Sequence, residues 1–266
     1  MRERILAALV GLLIILPALI FGGQLAAEIV VGLVLLIGLD EYVAMAFPEE
    51  RRGAFLLLSA TGLSIYAAAL HGSSGQLVAA VVLSALVVMV RVLFQDLPVE
   101  GASNRLARYT LGLVWIPALV VFLPLLRGLE HGMALVFFSL GVTWLGDTGG
   151  YFAGRFFGKH KLYERISPKK TWEGVVGGVV LAVITGGVIQ KLGLPQLGFV
   201  ECLVLALVLD IAGVVGDLVE SMLKRSFGVK DSGWIMPGHG GILDRIDGVL
   251  FTAPLLYLYV VVVRGL

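Results

Sequence analysis

The chain alternates between long apolar runs and short polar connections. Nine runs carry no charge or almost none. Most are close in length to the stretch of about 20 apolar residues that a helix needs to cross a bilayer. They are continuous rather than alternating between apolar and polar residues, which excludes a transmembrane β-barrel. The runs lie at residues 5–21, 25–39 (extending toward 47), 54–70, 77–94, 109–126, 132–146, 174–192, 199–223 and 249–263. The pattern predicts an all-α, polytopic integral membrane protein with about nine transmembrane helices.

The basic residues indicate how these helices are oriented. If the N-terminus is cytoplasmic, all but three of the 20 lysines and arginines fall in cytoplasmic segments or at the cytoplasmic end of a span. The exceptions are Arg127, Lys191 and Arg264. Because cytoplasmic loops of membrane proteins are enriched in positive charge, the sequence predicts a cytoplasmic N-terminus. Arg2 and Arg4 would also suit a signal peptide, but the long first run and the eight spans after it favour a retained anchor.

The overall composition agrees with a membrane protein. Of the 266 residues, 58% are hydrophobic and 15% are charged, with a mean hydropathy of +0.97, whereas a soluble domain carries about 25% charged residues. A soluble enzyme, a disordered chain and a disulfide scaffold are thereby excluded. The net charge of +1 gives no sign of nucleic-acid binding. The single cysteine, Cys202, can form neither an intramolecular disulfide nor a cysteine metal site.

Most of the polar chemistry is concentrated in two long segments, which we predict to be cytoplasmic loops at 147–173 and 224–248. The first five predicted spans, within residues 1–130, are joined by short connections that carry little functional character. We therefore assign residues 131–266 as the catalytic region. Since functional residues are often found on loops held by a rigid scaffold, the two loops predict one site that faces the cytoplasm.

The eighth predicted span ends in a charged helix face. Asp210, Asp217 and Lys224 are spaced seven residues apart, and Glu220 and Ser221 follow Asp217 by one turn, so all five share one side of a helix. A carboxylate at membrane depth costs at least about 2.5 kcal/mol on insertion scales and usually faces the bundle interior or a wet cavity. Asp217 is therefore a candidate metal ligand, and a solvated helix end is the alternative.

The second loop contains groups that suit a polyphosphate and a metal ion. Its cations can neutralise phosphate, and glycines on both sides of its histidine let backbone N–H groups approach an anion. Carboxylates together with phosphates, rather than histidine or cysteine clusters, select Mg²⁺. A basic patch for anionic lipid headgroups is the alternative. The candidates are Lys224, Arg225, Lys230, Asp231, His239, Gly240, Gly241, Asp244, Arg245 and Asp247.

The first loop ends in a second candidate anion site. The sequence Ser167-Pro168-Lys169-Lys170-Thr171 is predicted to open the seventh helix. Hydroxyl groups, two lysines and a helix N-terminus would then converge on one anion. An ordinary helix cap with lysines that reach toward water is the alternative.

Two acidic residues lie apart from these loops. Asp40 and Glu41 occupy the cytoplasmic end of the second span. Because a carboxylate at that depth can reach water, we expect a solvated helix end there rather than part of the site.

The stretch from Ser221 to Asp247 resembles a known signature. It reads Ser-x-Leu-Lys-Arg-x₄-Lys-Asp-x-Gly-x₂-Met-Pro-Gly-His-Gly-Gly-Ile-x-Asp-Arg-Ile-Asp, which is similar to the signature of the phosphatidate cytidylyltransferases, also called CDP-diacylglycerol synthases. The stretches that begin at Asp147 and Ser167 resemble this family as well. The resemblance implies transfer of CMP from CTP to phosphatidic acid, divalent-metal dependence and a homodimer. It also implies that Asp217 and Asp244 take part in metal binding.

For such a reaction the substrate phosphate is itself the nucleophile, so positioning and charge neutralisation can supply most of the catalysis. The expected ligands for one or two Mg²⁺ ions are Asp217, Asp244, Asp147 and Asp247. The residues expected to act on the transferred and leaving phosphates are Lys224, Arg225, Arg245 and His239. The residues expected to bind substrate are Ser167, Lys169, Lys170, Thr171, Ser221, Lys230, Asp231, Gly240 and Gly241.

Two other functions compete with this interpretation. A CTP-dependent lipid kinase that acts on a polyprenol would transfer the γ-phosphoryl group instead of the nucleotidyl group. A transporter or channel could use Asp210, Asp217 and Glu220 as an intramembrane relay. The concentration of polar residues in two loops and the lack of visible internal repeats count against the transporter.

Overall fold

The computed structural model describes residues 22–234 and 240–266 and is dominated by helices. The helices are α1 (Gly23–Ala46), α2 (Arg51–His71), α3 (Ser74–Leu93), α4 (Ala102–Trp115), α5 (Pro117–Val120), α6 (Phe122–Gly128), α7 (Gly132–Phe157), α8 (Trp172–Gly193), α9 (Phe199–Ser226), α10 (Leu243–Ile246) and α11 (Val249–Leu258). A short 3₁₀ turn at Val99–Gly101 precedes α4, and a π-helical turn at Tyr259–Val263 continues α11.

Six stretches of the described chain are long and apolar enough to cross a membrane. They are α1, α2, α3, the stretch Val99–Gly128, α8 and α9. The predicted membrane protein of mainly helical class is thereby confirmed. The predicted span at 5–21 lies outside the described residues, and α11 with its π-helical turn forms a shorter apolar helix. The total of nine spans and the cytoplasmic N-terminus stay predictions.

The span predicted at 109–126 is divided into α4, α5 and α6. The first break falls at Ile116, immediately before Pro117, and the second at Val121. Proline has no backbone N–H to donate and its ring clashes with the preceding turn, so a helix cannot run through Pro117 undisturbed. The breaks let this stretch pack against both α2 and α3 on one side and α11 on the other.

The predicted loop at 147–173 is wrong in its first half, because α7 continues to Phe157. Close packing of α7 on α8 through small residues accounts for the extension. A Cβ atom at Gly149 would lie 2.6 Å from the Gly177 carbonyl oxygen, and one at Gly177 would lie 2.2 Å from the Ala153 Cβ. The polar residues after Gly146 end the predicted span, but the helix continues through them.

The remainder of that loop contains a small antiparallel hairpin of β1 (Lys161–Tyr163) and β2 (Ser167–Thr171), which the all-α prediction did not include. The predicted helix start at Ser167 is also wrong, since α8 begins at Trp172. Thr171 caps α8, and its Oγ1 accepts a hydrogen bond of 3.2 Å from the Gly174 amide. Pro168 disfavours a helical conformation at Ser167, consistent with a strand there.

The second predicted loop, at 224–248, is shortened at both ends. Helix α9 continues through Ser226, and α10 occupies Leu243–Ile246. Lys224 therefore projects from a helix, whereas Asp244 and Arg245 lie on the short helix that precedes α11.

An aromatic cluster joins the C-terminal end of α1 to the ends of α4 and α9. The ring of Tyr42 packs edge-on against Trp115 and Phe227, with centroids 6.1 and 6.2 Å apart. The Tyr42 hydroxyl donates a hydrogen bond of 2.6 Å to the Arg108 carbonyl oxygen, and the Arg108 guanidinium lies over the Phe227 ring. These contacts hold the end of α1 against the segment that follows α9.

The α7–α8 contact yields a stability prediction. We expect Gly177→Ala to lower the free energy of unfolding by about 1–3 kcal/mol, because its methyl group would overlap Ala153. Gly32→Ala is the matched control, since its Cβ would meet only Tyr66 at an ordinary 3.8 Å and alanine favours helix by up to about 1 kcal/mol. Unfolding in detergent measures both, and equal stability of the two variants would contradict the packing.

Candidate active site

A cavity of about 1030 Å³ opens at one end of the bundle. Its wall is formed by the C-terminal half of α7, strand β2, the start of α8, the C-terminal half of α9, and described residues of the stretches 230–234 and 240–247. The predicted residues that line it are Asp147, Lys169, Lys170, Thr171, Asp217, Lys224, Lys230, Asp231, Gly240, Asp244, Arg245 and Asp247. The two polar segments that the sequence singled out therefore meet at one site.

Four predicted residues of the described chain do not line the cavity: Ser167, Ser221, Arg225 and Gly241. Arg225 follows Lys224 on α9, and successive helix residues diverge by about 100°. Its guanidinium is exposed and donates a hydrogen bond of 3.2 Å to the Val229 carbonyl oxygen. Ser221 instead donates a hydrogen bond of 3.2 Å to Asp217. The predicted role of His239 lies outside the described residues.

Three carboxylates come together in the cavity wall. Oxygen atoms of Asp217, Glu220 and Asp247 all lie within 4.8 Å of one another. Glu220 and Asp247 are buried and Asp217 is half-buried. One Glu220 oxygen has no hydrogen-bond partner within the described chain. Because three carboxylates at this spacing repel one another and carboxylate oxygens are preferred ligands of hard cations, the cluster could hold a divalent metal ion.

Two lysines neutralise part of this charge. The Lys170 ammonium lies 2.7 Å from an Asp217 oxygen. The buried Lys224 ammonium lies 2.6 Å from a Glu220 oxygen and also contacts Asp244. Lys224 therefore links a carboxylate of the cluster to a carboxylate outside it.

Asp244 lies outside the three-carboxylate cluster and is already surrounded by donors. It accepts hydrogen bonds from the Gly241 amide at 2.7 Å, from the Ser232 hydroxyl at 2.9 Å and from the Ser232 amide at 3.1 Å, besides its contact with Lys224. Burial alone would raise the pKa of Asp244, but these donors outweigh it and hold that pKa below its usual range. The structure thus keeps Asp244 ionised and paired, and places Glu220 beside Asp217 instead.

Asp247 has the opposite electrostatic environment. Burial, together with the nearby charges of Asp217 and Glu220, raises the pKa of Asp247 well above its usual range. The backbone amide of Gly248, which donates a hydrogen bond of 2.7 Å to it, offsets this only in part. A cation beside the cluster would favour the ionised form of all three carboxylates.

The exposed part of the cavity is basic. Arg155, Lys169, Lys230 and Arg245 line it and are all exposed. The acidic cluster is thus mostly buried, while these four cations are exposed. This separation suits a ligand that carries several negative charges and is bound together with a metal ion.

The described part of the glycine-rich turn encloses a carboxylate of the protein itself. Gly240 has a φ of +80°, and a Cβ atom there would lie 2.2 Å from an Asp244 oxygen. The Gly241 amide donates to the same side chain. The backbone approach that the sequence predicts for a phosphate is therefore used at these positions to hold Asp244.

The sequence missed several residues that the structure brings to the site. Glu220 was not among the expected metal ligands, although its spacing of one turn from Asp217 placed it on the same face. Arg155 lines the cavity and donates a hydrogen bond of 2.9 Å to the Tyr151 hydroxyl one turn earlier on α7. No local motif marks Arg155, and only its proximity to Asp147 on a continuous helix could have indicated it.

The expectation of a solvated helix end at Asp40 and Glu41 holds for only one of them. Asp40 is partly exposed and pairs with Arg51 at 2.8 Å. Glu41 is only 6% exposed and accepts hydrogen bonds from the backbone amides of Ile242 and Leu243. Adjacent residues on α1 therefore face water and the site segment respectively.

The pairing of Lys224 yields a prediction about stability. We expect Lys224→Met to lower the free energy of unfolding by about 3–5 kcal/mol, because it leaves Glu220 and Asp244 without their shared cation. Lys230→Met removes an exposed lysine of the same cavity and should change it by no more than about 0.5 kcal/mol. Thermal unfolding in detergent measures both, and similar transition temperatures would show that the Lys224 contacts contribute little.

Comparisons with known proteins identify relatives that match either almost the whole chain or about half of it. The model of the cytidylyltransferase family matches residues 2–263. A phosphatidate cytidylyltransferase of Staphylococcus haemolyticus is 35% identical over 98% of this chain and 99% of its own length. One from Brucella melitensis is 46% identical over 56% of this chain and 55% of its own length. One from Bacillus subtilis is 43% identical over similar shares. The chain belongs to the cytidylyltransferase family.

Proposed function

We propose that this membrane enzyme transfers CMP from CTP to phosphatidic acid and releases pyrophosphate. The observation that carries the proposal is one cavity in which a buried acidic cluster adjoins exposed cations, next to the apolar surface of a membrane bundle. The names of relatives that match almost the full chain supply the substrates.

In this reaction a phosphate oxygen of phosphatidic acid forms a bond to the α-phosphorus of CTP. The bond between that phosphorus and the oxygen bridging to the β-phosphorus breaks, and the electron pair leaves with pyrophosphate. The nucleophile is already ionised at neutral pH, so no side chain has to remove a proton. The protein contributes mainly orientation and neutralisation of charge.

Mg²⁺ is the proposed metal, held by Asp217, Glu220 and Asp247. This set keeps two of the expected ligands and replaces Asp244, whose oxygens are already paired with Lys224, Ser232 and Gly241. The Glu220 oxygen that no described residue hydrogen-bonds, together with the mutual repulsion of the cluster, supports this set. A bound Mg²⁺ would supply charge neutralisation at the phosphates. Asp147 lies close enough to Asp217 to add to the negative charge there.

The four exposed cations and the half-buried Lys170 are the proposed phosphate ligands. Lys169 and Lys170 come from strand β2, Lys230 and Arg245 from the segment after α9, and Arg155 from α7. Because they approach from different elements, a triphosphate between them would be held from several sides. Lys170 is paired with Asp217 in the structure, so it lies beside both the proposed metal ligands and the proposed nucleotide site.

The lipid would reach this cavity from the bilayer. Aromatic side chains are exposed on α7, at Tyr151, Phe152 and Phe156, and Trp172 and Val176 are exposed at the start of α8. They lie at the same end of the two helices as the cavity, where acyl chains could stay in the membrane while the headgroup meets the nucleotide. The cavity lies at the end of the bundle that carries most of the basic residues, and we propose that this end faces the cytoplasm.

Isotopic labelling separates the proposed reaction from its rivals. With CTP labelled at the α-phosphate, purified protein, Mg²⁺ and phosphatidic acid should give a labelled lipid and pyrophosphate. A lipid kinase would label lipid only from the γ-phosphate, when a polyprenol is supplied. A transporter would produce neither product, but would support flux across sealed vesicles without nucleotide consumption. Absence of α-label in lipid would refute the proposed function.

The metal assignment makes a separate prediction. Asp217→Asn should lower turnover by more than about 100-fold, because the loss of a ligand removes several kcal/mol of charge stabilisation. It should also weaken Mn²⁺ binding, measured by electron paramagnetic resonance without substrate. Asp96→Asn is the matched control, since Asp96 is an exposed carboxylate outside the cavity wall. Wild-type turnover and Mn²⁺ affinity in Asp217→Asn would contradict the assignment.

A further inference from the structure

We propose that Glu41, on α1 and outside every motif of the site, is a positioning residue that fixes the segment carrying Asp244, Arg245 and Asp247. The inference rests on the proposed function, because it concerns the residues that would perform that reaction. Glu41 does not line the cavity, so it would act through the groups it holds.

Glu41 binds the site segment with both of its carboxylate oxygens. One oxygen accepts a hydrogen bond of 2.8 Å from the Ile242 amide. The other accepts a hydrogen bond of 3.0 Å from the Leu243 amide and lies 3.1 Å from the Ser232 hydroxyl. The two amides immediately precede Asp244. A carboxylate held by several donors in a buried position has little freedom, so it fixes the backbone that it binds.

The surrounding backbone is closely fitted to this carboxylate. A Cβ atom at Gly233 would lie 2.6 Å from one Glu41 oxygen, and one at Gly241 would lie 2.2 Å from the other. Neither glycine has a positive φ, so close approach to the carboxylate, rather than backbone conformation, is what requires glycine there. Gly233 and Gly241, on either side of residues 235–239, are thus both packed onto Glu41.

Ser232 links Glu41 to the charged groups of the cavity. Its hydroxyl oxygen lies 3.1 Å from Glu41 and 2.9 Å from Asp244, and Asp244 in turn contacts Lys224. Lys224 pairs with Glu220 of the acidic cluster. A chain of direct contacts therefore runs from α1 to the cluster through side chains that are almost all buried.

The end of α1 is itself firmly held, so it can keep the other residues of these contacts in place. The next residue, Tyr42, is fully buried in the aromatic cluster and hydrogen-bonded to the Arg108 carbonyl oxygen. By contrast, the segment between α9 and α10 contains no helix or strand in its described part. Glu41 thus joins the packed end of a helix to a segment whose described residues form neither helix nor strand.

The first experiment replaces Glu41 in the full-length protein. Glu41→Gln should lower kcat by about 10- to 100-fold, the range typical for loss of an outer contact that orients a metal site. The KM for CTP should change by less than about threefold, because only one of the five proposed phosphate ligands, Arg245, lies on the segment that Glu41 holds. Glu41→Ala should be more severe, since the amide oxygen of glutamine can still accept one backbone hydrogen bond. Asp40→Asn, next to it in an exposed ion pair, is the control and should behave as wild type.

A double-mutant cycle tests the route through Ser232. If Glu41 acts through Ser232 and Asp244, the effects of Glu41→Gln and Ser232→Ala on kcat should overlap, and the double variant should resemble the worse single variant. Effects that multiply would overturn the route. Unchanged kcat in folded Glu41→Gln would overturn the proposal itself. If Glu41→Gln does not fold, folded Ser232→Ala with unchanged kcat would overturn it.

A measurement without substrate separates this inference from the proposed function. Hydrogen exchange of the Ile242 and Leu243 amides should be faster in Glu41→Gln than in wild type and unchanged in Asp40→Asn. Slow exchange in Glu41→Gln would overturn the inference whatever the reaction is. If the wild-type protein forms no labelled lipid, the proposed function fails, while the exchange result still decides whether Glu41 holds the segment.

Discussion

The site depends on the two ion pairs that the Lys224 ammonium forms with Glu220 and Asp244. Each of these groups would be costly to bury alone, because removal of an ion from water costs several kcal/mol. Together the three groups alternate in charge, so each offsets part of the cost of burying its neighbour at this end of the helix bundle. The chain joins α9 to α10, and so brings the two acidic regions of the sequence into one cavity. The exposed cations and the glycine turn are arranged around it.

Much of this could be predicted from local patterns. A span must be apolar over most of its length, so runs of apolar residues located most of the described helices. The helical period placed Asp217, Glu220 and Lys224 on one face of α9, where the structure has them. What hydropathy could not give was the end of α7, since a helix is held by its backbone hydrogen bonds and can continue through the polar, glycine-rich stretch beyond Asp147.

The remaining differences come from contacts between distant parts of the chain. Glu41 and Ile242 are separated by 201 positions, and no pattern around Glu41 distinguishes it from exposed Asp40. The same limit applies to Gly241, whose glycine character suggested a phosphate but whose neighbours are Asp244 and Glu41. The assignment of catalysis to residues 131–266 stays a prediction, and the contact of Glu41 on α1 with the amides of Ile242 and Leu243 could not be read from the sequence.

The glycine-mediated contact of α7 and α8 gives the two sides of the cavity different mechanical properties. Glycine has no side-chain rotamers, so this wall has few ways to change shape without separating the helices. Other parts of the cavity wall carry long side chains that can adopt other rotamers, such as Lys169 on β2 and Lys230 after α9. Adaptation to substrates of different size would therefore come from side chains that change rotamer, while the paired backbones of α7 and α8 keep a constant shape.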